Sequence, residues 1–145
     1  MTAPGRRLAI DYGRKRIGLA LCDGLGISMR PLPPLQSTTL EADLVALKRV
    51  VAAEEIVGIV IGLPLQLDGE IGRAAQEVVL FAAVLREQLK LPVDEVDERM
   101  TTKAAHALMK SAGHRHADRR PRLDSTAAML ILKTWLERRK NAPPS

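Results

Sequence analysis

Acidic side chains lie at three points of the sequence where a charge is costly to bury. Asp11 follows the apolar segment 8–10, Asp97 and Glu98 end a short valine-containing segment, and Asp124 lies between a basic and an apolar segment. Carboxylates gathered without basic partners either keep their protons or bind cations. Oxygen ligands select hard ions such as Mg²⁺ or Mn²⁺, which activate water and stabilise the leaving oxygen in phosphodiester hydrolysis. The pattern therefore predicts a site for one or two divalent ions.

Each acid also has a simpler interpretation. Asp11 can accept hydrogen bonds from backbone amides of the turn that follows it. Asp124 can cap a helix, with Ser125 as an alternative cap. Side-chain alternation does not decide whether Asp97 or Glu98 faces the site, because a valine lies at both parities of that segment. The occurrence of all three acids together with arginine clusters favours the functional interpretation.

Basic residues flank the acidic positions along the chain. The formal net charge is +5 and the isoelectric point is about 9.8, which favours a polyanionic partner. The planar fork of arginine suits phosphate recognition. Aromatic residues make up only 2%, so stacking of bases on aromatic rings is excluded as a major binding mode. The residues predicted to contact nucleic acid are Arg14, Lys15, Arg16, Arg99, Arg115, Arg119, Arg120 and Arg122.

The length of 145 residues is that of one domain, expected to span residues 1–145 with flexible ends at 1–5 and 140–145. No apolar run approaches the roughly 20 residues of a membrane-spanning helix, and the N-terminus lacks the apolar core of a signal peptide. The single cysteine, Cys22, excludes an internal disulfide and is expected to be an inert core residue. These features predict a cytoplasmic protein without a membrane partner.

Hydrophobic periodicity predicts the element order β-β-β-α-β-α-β-α-α, an α/β fold. The expected five-stranded mixed sheet carries helices on both faces, and strands one, four and five end at the same edge. The prolines at 31, 33 and 34 are expected to end the third strand, and a polar, basic loop is expected at 113–123. The predicted strands are 8–11, 17–21, 26–30, 56–62 and 93–99. The predicted helices are 40–54, 71–90, a helix that Thr101 or Thr102 caps and that runs to about residue 111, and 124–139.

Four motifs in this order resemble the YqgF/RuvX family, which has an RNase H-like fold. The resemblance runs from about residue 7 to residue 136, and the four motifs together are more specific than any one of them. Two departures from the family pattern are Gln66, where asparagine is usual, and Arg14, where threonine is common. The motifs are Ile10-Asp11-Tyr12-Gly13 with Arg16-Ile17-Gly18-Leu19-Ala20, Ile61-Gly62-Leu63-Pro64-Leu65 with Asp68-Gly69, Asp97-Glu98-Arg99-Met100-Thr101-Thr102, and Leu123-Asp124-Ser125 with Ala127-Ala128 and Ile131-Leu132.

The resemblance implies that the catalytic, metal-binding acids are Asp11, Glu98 and Asp124, and so favours Glu98 over Asp97. It implies a divalent-metal-dependent nuclease that matures the 5′ end of pre-16S rRNA. The sequence leaves open whether a ribosomal precursor particle is needed as a partner. A second implied activity is resolution of Holliday junctions in branched DNA.

Two further readings of the chain remain open. One is a nucleic-acid binding module that lacks catalysis, although the three intact acids argue against it. The other is an actin-like or sugar-kinase-like ATPase, which the short chain disfavours because such enzymes close a second domain over the nucleotide.

Overall fold

The computed structural model describes residues 5–13, 15–64, 72–97 and 119–141, with side chains from 127 to 139 in the last segment. Five strands form one sheet in the order β3-β2-β1-β4-β5. The neighbours of β1 are β2, which runs antiparallel, and β4, which runs parallel; β5 is parallel to β4 and β3 is antiparallel to β2. The predicted mixed sheet is confirmed. The strands are β1 (Arg6–Tyr12), β2 (Arg16–Cys22), β3 (Met29–Gln36), β4 (Ile56–Leu63) and β5 (Val93–Asp97).

Because β1, β4 and β5 are parallel, their C-terminal ends meet at one edge of the sheet, the carboxyl edge, and their N-terminal ends meet at the opposite, amino edge. Loops at the carboxyl edge of such sheets commonly carry function. Asp11 and Asp97 both lie at this edge, as predicted.

The helices cover both faces of the sheet, which confirms the predicted layers. Helices α1 (Leu40–Ala53) and α2 (Arg73–Leu89) pack on one face through a large core that includes Leu47, Phe81 and Leu85. Helix α3 (Arg119–Asn141) packs on the other face through a smaller core. No helix within the described segments is both long and apolar enough to cross a membrane.

The prediction that prolines end the third strand is wrong, because β3 continues through them to Gln36. β3 is an edge strand, and a proline that lacks an N–H group is tolerated where that group would point away from the sheet. Leu35 pairs with Ile17 and Leu32 pairs with Leu19, so two prolines lie opposite the single residue Gly18. This bulge accommodates the second of two adjacent prolines.

The final helix begins earlier than predicted. α3 starts at Arg119, so Asp124 lies inside the helix instead of opening it, and neither Asp124 nor Ser125 is its N-terminal cap. Residues 119–123 of the basic loop predicted for 113–123 are helical, and residues 113–118 lie outside the described residues. A proline at the third helical position is compatible with this start, because N–H groups in the first turn have no partner within the helix. The helix predicted for 101–111 lies outside the described residues.

Candidate functional site

Asp11 points toward the α3 face of the sheet. Its neighbours Ile10 and Tyr12 belong to the core under α1 and α2, whereas Ala9 belongs to the core under α3. Since side chains alternate along a strand, Asp11 shares the α3 side with Ala9. Its partner across the hairpin is Gly18, which has no side chain to cover the carboxylate. Asp11 is half-buried near the end of β1, at the carboxyl edge of the sheet.

Tyr12 anchors the end of β1 from the opposite face. Its ring stacks on Phe81 of α2, with the ring centroids 4.2 Å apart and the planes inclined by 18°. Burial raises the pKa of the Tyr12 hydroxyl, and the negative charges of Asp43 and Glu77 raise it further. The hydroxyl therefore stays protonated at neutral pH, and the aromatic contact holds the strand that carries Asp11.

The hairpin turn after Asp11 is held closely by backbone contacts. A side chain at Gly13 would place its Cβ only 2.6 Å from the carbonyl oxygen of Arg16, so this position requires glycine. On the far side of the turn, the carbonyl of Lys15 accepts a hydrogen bond of 2.8 Å from the backbone N–H of Ser37. The basic hairpin tip is thereby tied to the segment that leads into α1.

Asp43 in the first turn of α1 completes this connection. Its side chain accepts a 2.7 Å hydrogen bond from Ser37 Oγ and a 3.2 Å hydrogen bond from the backbone N–H of Thr38. The sequence pattern places Asp43 on a polar face of the helix, but the residue is only 4% exposed. This departure arises because the chain between β3 and α1 folds over the carboxylate. The spacing of Ser37 and Thr38 before an acidic first turn is the sequence signal for such a bond.

Side chains along β5 alternate between the two faces of the sheet, as they do along β1. Asp94 accepts a hydrogen bond from Trp135 of α3, whereas Glu95 lies 4.0 Å from Arg86 of α2. Asp97 has the parity of Glu95 and pairs with Leu63, a residue of the core under α2. Asp97 therefore lies on the opposite face of the sheet from Asp11.

Helix α3 runs from the carboxyl edge toward the amino edge. Trp135 lies beside Arg7 and Asp94, which are near the starts of β1 and β5. Ala128 is fully buried against the sheet, so the helix extends from Trp135 over the strands toward the carboxyl edge. Position 124 precedes Ala128 by four residues and Ile131 by seven, which puts it on the same face of the helix as these buried positions.

Among the predicted site residues, Asp11, Lys15 and Arg16 are described in full. Arg119, Arg120, Arg122 and Asp124 are described only as backbone positions in α3, and Arg14, Glu98, Arg99 and Arg115 lie outside the described residues. Within the described part of the chain, no three histidine, cysteine or acidic side chains gather closely enough to hold a metal ion. Of the predicted acidic triad, Asp11 is the member described with its side chain.

Comparison with known proteins places the whole fold in one family. The family model RuvX, described as Holliday junction resolvase, matches residues 5–138. A Picosynechococcus protein is 41% identical over 96% of this chain and 96% of its own, and a Maridesulfovibrio salexigens protein is 43% identical over 90% and 97%. Both bear the name "Putative pre-16S rRNA nuclease".

Solved structures show the same architecture. RuvC of Thermus thermophilus, in complex with a Holliday junction substrate, superposes with a TM-score of 0.60, covering 97% of this chain and 99% of that one. At 14% identity this likeness concerns the fold alone. It confirms the predicted RNase H-like architecture, and the matches along the sequence confirm the resemblance carried by the four motifs. The chain belongs to the RuvX family.

Proposed function

We propose that this protein is a divalent-metal-dependent nuclease that hydrolyses phosphodiester bonds, with the 5′ region of pre-16S rRNA as its substrate. The observation that carries the proposal is the position of Asp11, half-buried at the carboxyl edge of a parallel strand and directed to the α3 face. The substrate assignment follows the names of relatives that match nearly the full chain. We expect a single domain in the cytoplasm, where ribosomal precursors are made.

The direction of α3 supports Asp124 as a second acid of the site. About 16 Å of helix separates position 124 from Trp135. About 13 Å of strand separates Asp11 from Arg7, beside which Trp135 lies. The two acidic positions therefore lie at similar distances from the contact between Arg7 and Trp135, measured along the strands, and on the same side of the sheet.

The alternation of β5 supports Glu98 as the third acid. Asp97 shares its face with Glu95, away from Asp11. If the alternation continues for one more residue, position 98 returns to the face of Asp11 and α3. This argument is independent of the family resemblance, which also favours Glu98.

Three carboxylates form a donor set of oxygen atoms only, which fits Mg²⁺ or Mn²⁺ better than Zn²⁺. A divalent ion bound there supplies an activated water and stabilisation of the leaving oxygen. The role of Asp11 is to hold its oxygens fixed at the carboxyl edge, because Tyr12 and Gly13 immobilise the strand end beside it. Lys15 and Arg16, with the basic residues predicted near α3, would hold the phosphate backbone in a salt-dependent manner.

The test is cleavage of a labelled pre-16S rRNA fragment and of a four-way DNA junction, each with and without Mg²⁺ or Mn²⁺. We expect the parent protein to cleave the RNA only with a divalent ion, and Asp11→Asn, Glu98→Gln and Asp124→Asn to lose cleavage. Asp97→Asn is the matched control, because it removes a neighbouring charge from the opposite face and should retain activity. Preferential cleavage of the junction would replace the RNA assignment with junction resolution.

Full activity of Asp11→Asn would refute the proposed site. Metal-independent cleavage would refute the role of the ion. Loss of activity in Asp97→Asn, with Glu98→Gln unaffected, would reverse the assignment of the third acid.

A further inference from the structure

A recess of about 270 Å³ lies at the amino edge of the sheet, away from the acidic positions. Its walls come from the starts of β1, β4 and β5 and from the C-terminal part of α3. Arg7 and Arg139 supply positive charge and Asp94 supplies one carboxylate. The other described residues that line the recess are Trp135, Gly58, Ile59 and Pro92. Asp11 is four residues further along β1 from Arg7, a distance of about 13 Å.

Arg7 is an unusually buried arginine, with only 8% of its surface exposed. It lies directly on Gly58 of the neighbouring strand, where a Cβ would come within 2.9 Å of both Cδ and Nε of the arginine. The absence of a side chain at Gly58 therefore provides the space in which the guanidinium lies. Among the described residues, this guanidinium makes one hydrogen bond, from Nη1 to the carbonyl of Gly5 at 3.2 Å, although it carries five N–H donors.

Trp135 holds the two arginines at defined positions. Its Nε1 donates a 2.9 Å hydrogen bond to Asp94, which fixes the ring. The guanidinium carbon of Arg7 lies 5.7 Å from the ring centroid, and that of Arg139 lies 4.8 Å from it. Both distances are within the range of cation–π attraction. One aromatic ring thus brings two like charges to the same recess.

The electrostatics of the recess favour an anion. Among the described residues that line the recess, two guanidinium groups and one carboxylate carry a formal charge of +1. Burial lowers the pKa of Arg7 and the positive charge of Arg139 lowers it further, whereas Cys22 and Asp94 act in the opposite direction. The two cations therefore repel each other, and Asp94 offsets this repulsion in part. An anion between them would relieve this repulsion and engage N–H donors of the buried guanidinium.

We propose that this recess is a second binding site, specific for a phosphate group. Arginine forks match phosphate oxygens in geometry and charge. The volume is just below the roughly 300 Å³ at which small-molecule pockets begin, which suits a ligand no larger than a mononucleotide. The phosphate could belong to a free nucleotide or to a nucleic-acid backbone, and the two sources share the same chemistry. The inference does not rest on the proposed nuclease activity.

The fluorescence of Trp135 provides a direct assay, because it is the only tryptophan in the sequence. The full-length protein is titrated at constant ionic strength with inorganic phosphate, with AMP, and with a single-stranded oligonucleotide that lacks terminal phosphates. We expect a saturable fluorescence change, and the probe that saturates at the lowest concentration identifies the source of the phosphate. Arg139→Gln should weaken binding by about tenfold or more, because it removes a charge-assisted contact.

Arg138→Gln is the matched control, because it removes the same charge from the adjacent, exposed position of α3. It should bind like the parent protein. Arg139 is also exposed, so its replacement should leave folding intact, which circular dichroism verifies. The absence of a saturable change with all three probes, or equal affinities for Arg139→Gln and Arg138→Gln, would overturn the proposal. Repeating the titration with Asp11→Asn separates this site from the nuclease site, since binding should persist when cleavage is lost.

Discussion

Replacing Asp43 with alanine should destabilise the protein markedly, although Asp43 lies on a helix whose sequence marks it as polar. Asp43 is 4% exposed, and its carboxylate accepts hydrogen bonds from Ser37 Oγ at 2.7 Å and from the N–H of Thr38 at 3.2 Å. Asp43→Ala removes the acceptor of both hydrogen bonds, which lie in a partly buried region where Ser37 is half-buried and Thr38 is exposed. Each hydrogen bond to a charged group contributes at least about 1.5 kcal/mol, so we expect a loss of about 3 kcal/mol in the free energy of unfolding.

Urea denaturation followed by circular dichroism measures this loss, if unfolding is two-state. Glu41→Ala is the matched control, because Glu41 is an exposed acid in the same helical turn and shares only the interaction with the helix dipole. That interaction contributes roughly 0.3–1 kcal/mol. A double-mutant cycle between Asp43→Ala and Ser37→Ala should give a coupling energy of about 1.5 kcal/mol.

A loss below about 1 kcal/mol for Asp43→Ala, or a loss equal to that of Glu41→Ala, would refute this reasoning. A coupling energy near zero would show that the bond from Ser37 does not stabilise the fold. The same variant also tests the link to the hairpin, since Ser37 donates to the carbonyl of Lys15. If that link positions the basic tip, Asp43→Ala should weaken binding of nucleic acid as well.

Three further changes are expected to alter stability. Ile61→Ala leaves a cavity at a fully buried position in β4 and should lower the free energy of unfolding by about 3–4 kcal/mol, as measured by urea denaturation. Val57→Ala is the control on the same strand: its position is 37% exposed, and the loss should be less than about 1 kcal/mol. Lys90→Gly should stabilise the protein by about 1 kcal/mol and raise Tm by a few degrees, because Lys90 ends α2 with a φ of 57°, which glycine adopts without strain. Burial raises the pKa of the Cys22 thiol above its ordinary value of 9.0, so the folded state retains this proton. Its contribution to stability is complete below the ordinary thiol pKa and is lost as the pH rises from that value through the raised pKa of the folded state. Cys22→Ala should therefore show a shallower decline in urea midpoint above about pH 9.

Contrary results are easily recognised. Equal costs for Ile61→Ala and Val57→Ala would mean that the core under α1 and α2 is not packed as described. A loss of stability in Lys90→Gly would mean that the left-handed end of α2 is not strained. The same alkaline decline with and without Cys22 would assign that decline to other groups, of which Tyr12, with its raised pKa, is one.

The sequence alone predicted the elements whose cause is local. Helix α1 and strand β4 were predicted almost to the residue, because a 3.6-residue apolar period and a continuous β-branched run need no information from elsewhere in the chain. The carboxyl edge was also predictable, since parallel strands joined by helical crossovers must end on the same side. That prediction located Asp11 correctly.

Only the tertiary structure decided which residues share a face or an edge. The prolines of β3 are tolerated because this strand lies at the edge of the sheet, which depends on strand order. Asp97 lies on the face of the sheet that α2 covers, together with Glu95, whereas Asp11 lies on the face that α3 covers. Asp43 is buried because the chain after β3 folds over it. The recess between Arg7 and Arg139 has no sequence motif, since it depends on a glycine of one strand beside an arginine of the next. Local patterns specify which residues are apolar or charged, but the pairing of distant segments determines what each side chain contacts.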